Sequence, residues 1–104
     1  MNNILYELCF HNLDMMYGDI PLPAKCIANK LNLSYKSTLN EMHKLQEKGF
    51  IRKCSEVMYR MGDEAVLLNG WNITNLAKNT EEYKLASARE EMIIKSIFDY
   101  DINL

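Results

Sequence analysis

The stretch IANKLNLSYKSTLNEMHKLQEKGFIRK, residues 27–53, decides how the rest of the chain is read. Ile27, Ala28 and Leu31, with Ala24 ahead of them, form the apolar stripe of a short helix. Pro23 suits the first position of that helix, where its missing N–H costs nothing. Asn32 interrupts it, because Asn tolerates the left-handed backbone that a tight turn between helices needs. Ser34 can then cap a third helix over residues 35–48, its hydroxyl accepting from a free N–H of the first turn. Thr38, Met42 and Leu45 recur at spacings of four and three and face a core, and Gly49 ends the helix.

Outward from this stretch the periodicity changes. Phe50 to Tyr59 is rich in β-formers, Gly62-Asp63 signals a turn, and Ala65 to Leu68 is an apolar run of strand length. A hairpin is expected over 50–68, with Asn69-Gly70 breaking its second strand. Upstream, Leu5, Leu8, Cys9, Leu13 and Met16 line one face of a helix over 4–16, capped by Asn3 and ended by Gly18. Residues 18–23 are extended, since residues before Pro avoid the helical region. Downstream, Thr74 or Asn75 starts a short turn. Asn79 with Glu82 has capping-box spacing for a long helix running to about Phe98.

Two helices joined by a turn of about three residues, the second followed at once by a hairpin, make a helix-turn-helix with a wing. Over residues 27–53 the chain resembles the winged helix-turn-helix family. Ala28 sits where the two helices need a small side chain, and Leu33 is the apolar residue before the cap. Leu45, Gly49, Phe50 and Ile51 match the closing motif. Asn32 stands where Gly is commoner, and Glu41 and Glu47 are carboxylates on a helix meant to approach phosphate. NGWNIT, residues 69–74, resembles the segment after the wing in small bacterial and phage proteins of this type. The resemblance implies a mainly α fold with a small β-hairpin: a three-helix core, a wing and a long C-terminal helix. Residues 1–78 would form the winged domain, and 79–104 a dimerisation helix belonging to it.

The function implied is sequence-specific binding of double-stranded DNA by a small bacterial or phage transcription regulator. Helix 35–48 would enter the major groove and the 50–68 hairpin would lie on the backbone. Carried over by position, Ser34, Tyr35, Lys36, Ser37 and Asn40 are the residues nearest the bases, and Asn can pair bidentately with adenine. Lys44, Arg52, Lys53 and Arg60 are the phosphate contacts, although strand alternation puts Arg52 and Lys53 on opposite faces. Leu39 borders the core stripe and the reading face, and His43 points to solvent or the backbone.

Charge supports an anionic partner for one face. The chain has 104 residues and a net charge of −2, but the charge is unevenly placed. Residues 1–24 hold three acids and no base, residues 25–60 eight bases and three acids, and residues 61–104 four bases and eight acids. A basic block between acidic flanks is an electrostatic footprint, or else simply a solvated surface. The competing function is a winged-helix adaptor that binds protein and not DNA, since a fold does not fix a function.

Enzymatic readings find little. There is no phosphate-binding glycine loop, nucleophile elbow or HExxH motif, and no cofactor or metal is implied. Cys9 and His11 are two apart and point about 200° apart on a helix. Cys9, Cys26 and Cys54 form no CxxC pair and are expected to be unpaired, structural thiols near apolar stripes, consistent with a reducing cytoplasm. The first eleven residues carry no Lys or Arg, so no secretory leader is expected, and the sequons at Asn32 and Asn72 are chance matches. No apolar run has membrane-span length. The last helix carries surplus apolar surface. Tyr83, Ala86, Ile93 and Ile97 are expected to face the body, while Leu85, Met92 and Ile94 widen the stripe. A homodimer through Leu85, Met92, Ile93, Ile94 and Ile97 is the expected cover.

Overall fold

The computed structural model describes residues 1–59, 62 and 64–102. Its elements are α1 (Asn3–Asn12), α2 (Ala24–Leu31), α3 (Tyr35–Glu47), β1 (Ile51–Tyr59), β2 (Ala65–Ile73), a 3-10 turn (Asn75–Asn79) and α4 (Glu81–Ile102). The result is a mixed α/β fold of four helices and one antiparallel hairpin, registered from Ile51 opposite Ile73 to Tyr59 opposite Ala65.

The α2–α3 pair follows the sequence closely. Asn32 ends α2 in the left-handed conformation, φ 55°, and the Leu33 N–H donates to the Ala28 carbonyl at 2.9 Å. Pro23 is the cap of α2 and not its first residue. Ser34 caps α3 by accepting from the Ser37 N–H at 3.1 Å. Gly49 turns the chain out of α3 at φ 84°, which a residue with a Cβ reaches only with strain.

Three expected boundaries move. Asn2, not Asn3, caps α1, accepting from the Leu5 N–H at 3.0 Å. The helix stops at Asn12, short of Met16, because the Asp14 carboxylate gathers the Met16 and Tyr17 N–H groups at 2.9 and 2.8 Å. Gly18 then packs on the Asn12 and Asp14 carbonyls, where a Cβ would clash. Met16 is therefore 79% exposed and not part of the buried stripe. At α4 the cap is Thr80, whose hydroxyl accepts from the Tyr83 N–H at 3.2 Å and donates to the Ala77 carbonyl at 2.6 Å. The Asn79–Glu82 box does not form.

The second strand does not break at Asn69-Gly70. It runs on to Ile73 because the extended segment before α2 docks beside it: Leu22 and Trp71 exchange two backbone hydrogen bonds of 2.9 Å. Gly70 permits this, since a Cβ there would lie 2.6 Å from the Leu22 carbonyl carbon. Asn72 closes the same corner from the interior. Its side chain accepts from Asn12 Nδ2 at 3.1 Å and donates to the Gly18 carbonyl at 3.0 Å, so this buried amide is satisfied.

The core gathers one stripe from each element. Leu5, Leu8 and Cys9 of α1 meet Ile27 of α2, Met42 and Leu45 of α3, Ile51 and Trp71 of the hairpin base, and Ala86 of α4. Each fully buried large side chain contributes on the order of 1.5–3 kcal/mol relative to exposure. The outer half of α4 leaves this core. Ile93 and Ile97 are 40% and 57% exposed, so they do not continue the inward stripe begun by Tyr83 and Ala86. Among the described residues no helix is long and apolar enough to cross a membrane.

Candidate nucleic-acid interface

Residues four apart on a helix share a face, so Tyr35, Leu39 and His43 stand in one row along α3. That row forms one wall of an open cleft of about 720 Å³. The opposite wall is the base of the hairpin, with Lys53, Ser55, Asn69 and Trp71, and the start of α2 with Lys25 closes one end. The register explains the hairpin wall. Lys53 lies opposite Trp71 and Ser55 opposite Asn69, and cross-strand partners point to the same side of a sheet. Ser55 donates to Asn69 Oδ1 at 2.6 Å.

Trp71 organises the floor. It is buried in the core, yet its ring carries the Lys53 ammonium 5.3 Å from its centroid and the His43 ring at 5.8 Å. A cation held over an indole face is positioned without being neutralised. Lys25 and Lys53 line the cleft and, among the described residues, no carboxylate does, in a protein whose overall charge is negative. The groove between α1, α2 and α4, by contrast, is lined by Glu7, Asp14 and Glu90 as well as Lys30.

Lys36, Asn40 and Lys44 form the next row on α3, about 100° further round, and all three are exposed. Lys44 is engaged by Glu41 at 3.2 Å. Tyr35 is 55% exposed at the cleft mouth. Ser37 is exposed, and its N–H is used by the Ser34 cap. Arg52 does not join this surface. It lies on the other face of the hairpin, in a depression shared with Asp19, Glu56 and Lys78. Arg60 lies outside the described residues.

Sequence reading passed over Lys25, His43 and Trp71 as site residues. The four-residue spacing of Tyr35, Leu39 and His43 is the signal that could have found His43. Trp71 had no such signal, because its place depends on the register of the second strand. Beyond the cleft the same hairpin face continues to Val57 and Leu67, cross-strand partners that are 51% and 59% exposed.

The thiols differ from one another. Cys9 is buried, Cys54 is half-buried, and Cys26 is exposed on α2, not packed in a stripe. Burial pushes the Cys9 thiol up to about 12, and the Glu82 carboxylate adds to the effect. Burial also raises Cys54, partly opposed by the Arg52 charge. Among the described residues no three His, Cys, Asp or Glu side chains converge as a metal site.

Of the residues expected at a dimer interface, Leu85, Met92, Ile93 and Ile97 are exposed and Ile94 is half-buried. No protein-family model matches the chain, and neither a curated protein nor a solved structure matches it.

Proposed function

We propose that the chain is a winged helix-turn-helix protein that binds double-stranded DNA without catalysing a reaction, in the manner of a small bacterial or phage transcription regulator. The observation that carries this reading is the cleft between α3 and the hairpin, lined by Lys25 and Lys53 and, among the described residues, by no carboxylate. With α3 in the major groove, the phosphodiester strand bordering that groove passes over the cleft. Lys25, Lys53 and the Tyr35 hydroxyl then meet phosphate oxygens, contacts that fix register without reading sequence. Lys36, Ser37 and Asn40, on the more exposed row of α3, face base edges. Arg52 takes no part in this arrangement.

The test is a salt series of binding to a random-sequence duplex. Counterion release makes the logarithm of affinity fall linearly with the logarithm of salt, by about 0.9 for each phosphate contact. The two lysine contacts of one chain give a slope of roughly −2. Absence of binding at low salt overturns the reading. A second reading, a protein-binding adaptor, is favoured by one observation: Val57, Leu67 and Tyr59 expose 51%, 59% and 75% of their surface on the hairpin. An adaptor gives no salt-dependent duplex binding in the same titration.

A further inference from the structure

The groove between α1, α2 and α4 shares no lining residue with the cleft beside α3. It holds about 410 Å³, within the ~300–1,000 Å³ of small-molecule sites. Helical spacing builds it. Glu7, Phe10 and His11 lie three and four apart on α1, Cys26 and Lys30 four apart on α2, and Glu90 and Ile93 three apart on α4. Each helix therefore turns one face to the same hollow. Phe10, Leu22, Ile27 and Ile93 supply its apolar walls. Ile27 is buried, and Phe10 and Leu22 are half-buried against the core, so these walls belong to the packed fold.

The polar groups of the groove are mostly acceptors. Lys30 is the lysine among them, and its ammonium is already spent: it donates to Glu7 Oε2 at 2.8 Å and lies 5.7 Å from the Phe10 ring centroid. His11 Nε2 donates to the Ile20 carbonyl at 2.7 Å, which leaves Nδ1 an acceptor in the neutral ring. The Asp14 carboxylate takes the Met16 and Tyr17 N–H groups and no cation. Glu90, half-buried on α4, makes no ion pair among the described residues. Arg89 lies over Phe10, 4.2 Å from its centroid, and is not among the lining residues. Glu7 and Lys30 cancel, so the lining keeps the charges of Asp14 and Glu90 beside apolar walls.

We infer that this groove binds an organic ammonium ion, its apolar body against Phe10, Ile27 and Ile93 and its N–H donors on the Glu90 carboxylate. Charge and hydrogen-bond complementarity select this class. An anion meets two carboxylates that no lysine or arginine of the lining balances, and a neutral ligand forgoes the charge-assisted bond, which is roughly twice as strong as a neutral one. An ammonium without an apolar body leaves the walls uncovered, and a hydrocarbon leaves the acceptors unused. The site lies apart from the α3 cleft, so the inference stands whether or not the chain binds DNA.

Three probes with one body and different heads test it: 4-phenylbutylammonium, 4-phenylbutanol and 4-phenylbutyrate. Titrated into the full chain, they are followed by the methyl resonances of Ile27 and Ile93. The ammonium should give saturable shifts at both with Kd below about 1 mM, and should bind at least about tenfold more tightly than the carboxylate, with the alcohol between. Glu90→Gln keeps the shape of the side chain and should lower ammonium affinity about tenfold while leaving the alcohol unchanged. Cys26→Trp, at an exposed position on α2, fills the groove and should weaken all three probes alike. Equal affinity for the three heads overturns the inference, as does ammonium binding that Glu90→Gln leaves intact. So do shifts centred on another surface, or none up to about 5 mM ammonium.

Discussion

α3 and α4 are both amphipathic in part, but they spend their surfaces differently. α3 has 13 residues, buries Thr38, Met42 and Leu45, and leaves a polar, lysine-bearing surface outside. α4 has 22 residues, fixes one end on α1, and leaves apolar groups outside at the other. A helix whose exposed side is polar is complete as a packed element, and its charges are available to a ligand. A helix whose exposed side is apolar is complete only with a partner. The contrast leaves charged groups outside on α3 and apolar groups outside on α4.

The strongest check on the anchored end of α4 is the thiol it helps to cover. Cys9 has no exposure, and its pKa of about 12 stands against an ordinary 9.0. A thiol kept protonated by burial presents far less reactive thiolate near neutral pH, before access is counted. Cys9 should therefore be modified by a thiol reagent orders of magnitude more slowly in the folded protein than in urea, while exposed Cys26 reacts within the mixing period. The sign for stability follows. The folded chain holds the Cys9 proton that the unfolded chain releases above about 9, so stability falls as pH climbs from there toward about 12. Rapid labelling of Cys9 would show that the α1–α4 contact opens freely and would break the contrast at its packed end.

The second check compares the two helices directly. Met42 has no exposure and sits at the centre of the core, so Met42→Ala should cost about 2–5 kcal/mol. Ile97→Ala removes a side chain that is 57% exposed and should cost a single copy less than about 0.5 kcal/mol. Urea titrations at low protein concentration measure both. Equal losses would mean that Ile97 is buried within one copy.

These differences mark what the sequence made legible. Asn32, Ser34 and Gly49 act through local backbone chemistry, and α2 and α3 formed as their neighbours along the chain required. The buried stripe of α3 was equally readable, because one helix period determines it. The failures come from a distant partner, from a competing local turn, or from the extent of the body. Asn69-Gly70 reads as a strand break, yet Leu22 arrives beside it and makes the glycine a point of close approach. Met16 fits the α1 periodicity, yet Asp14 ends the helix first. Ile93 and Ile97 fit the inward stripe of α4, but periodicity gives a direction and not the extent of the body it points toward. For the site, the Lys36, Asn40 and Lys44 row on α3 was legible and the Trp71 floor was not, since it required the register of a strand expected to end sooner.

A smaller effect sharpens the α3 side. If the cleft carries phosphate, Lys53→Ala and Lys25→Ala should each lower duplex affinity several-fold and reduce the salt slope by about one contact. Asn40→Ala should relax sequence preference, by on the order of 1–3 kcal/mol where it pairs with a base. Arg52→Ala is the control, because Arg52 lies on the opposite face of the hairpin. A larger loss from Arg52→Ala than from Lys53→Ala would move the interface to the other face.

The smallest effect separates the two ends of the contrast by acid. The turn that presents Met15 and Met16 is held by a titrating group, whereas α3 is capped by the Ser34 hydroxyl, which does not titrate. The Tyr17 and Met16 N–H groups hold the Asp14 carboxyl below its ordinary 3.8, with the His11 ring adding to the shift. Glu7, Lys30 and Glu90 line the same groove and supply the remaining charges around it. A depressed folded pKa means that the stabilisation is fully present above the unfolded value and is lost as pH falls through the folded one. Asp14 is fully exposed, so the change should be local and not a global unfolding. Nuclear magnetic resonance should show the Met16 and Tyr17 amide signals moving together with a midpoint below 3.8, while the Ser37 amide stays in place. Asp14→Asn keeps an acceptor oxygen and should abolish the movement. A midpoint at or above the ordinary value would mean that the carboxylate does not hold the turn.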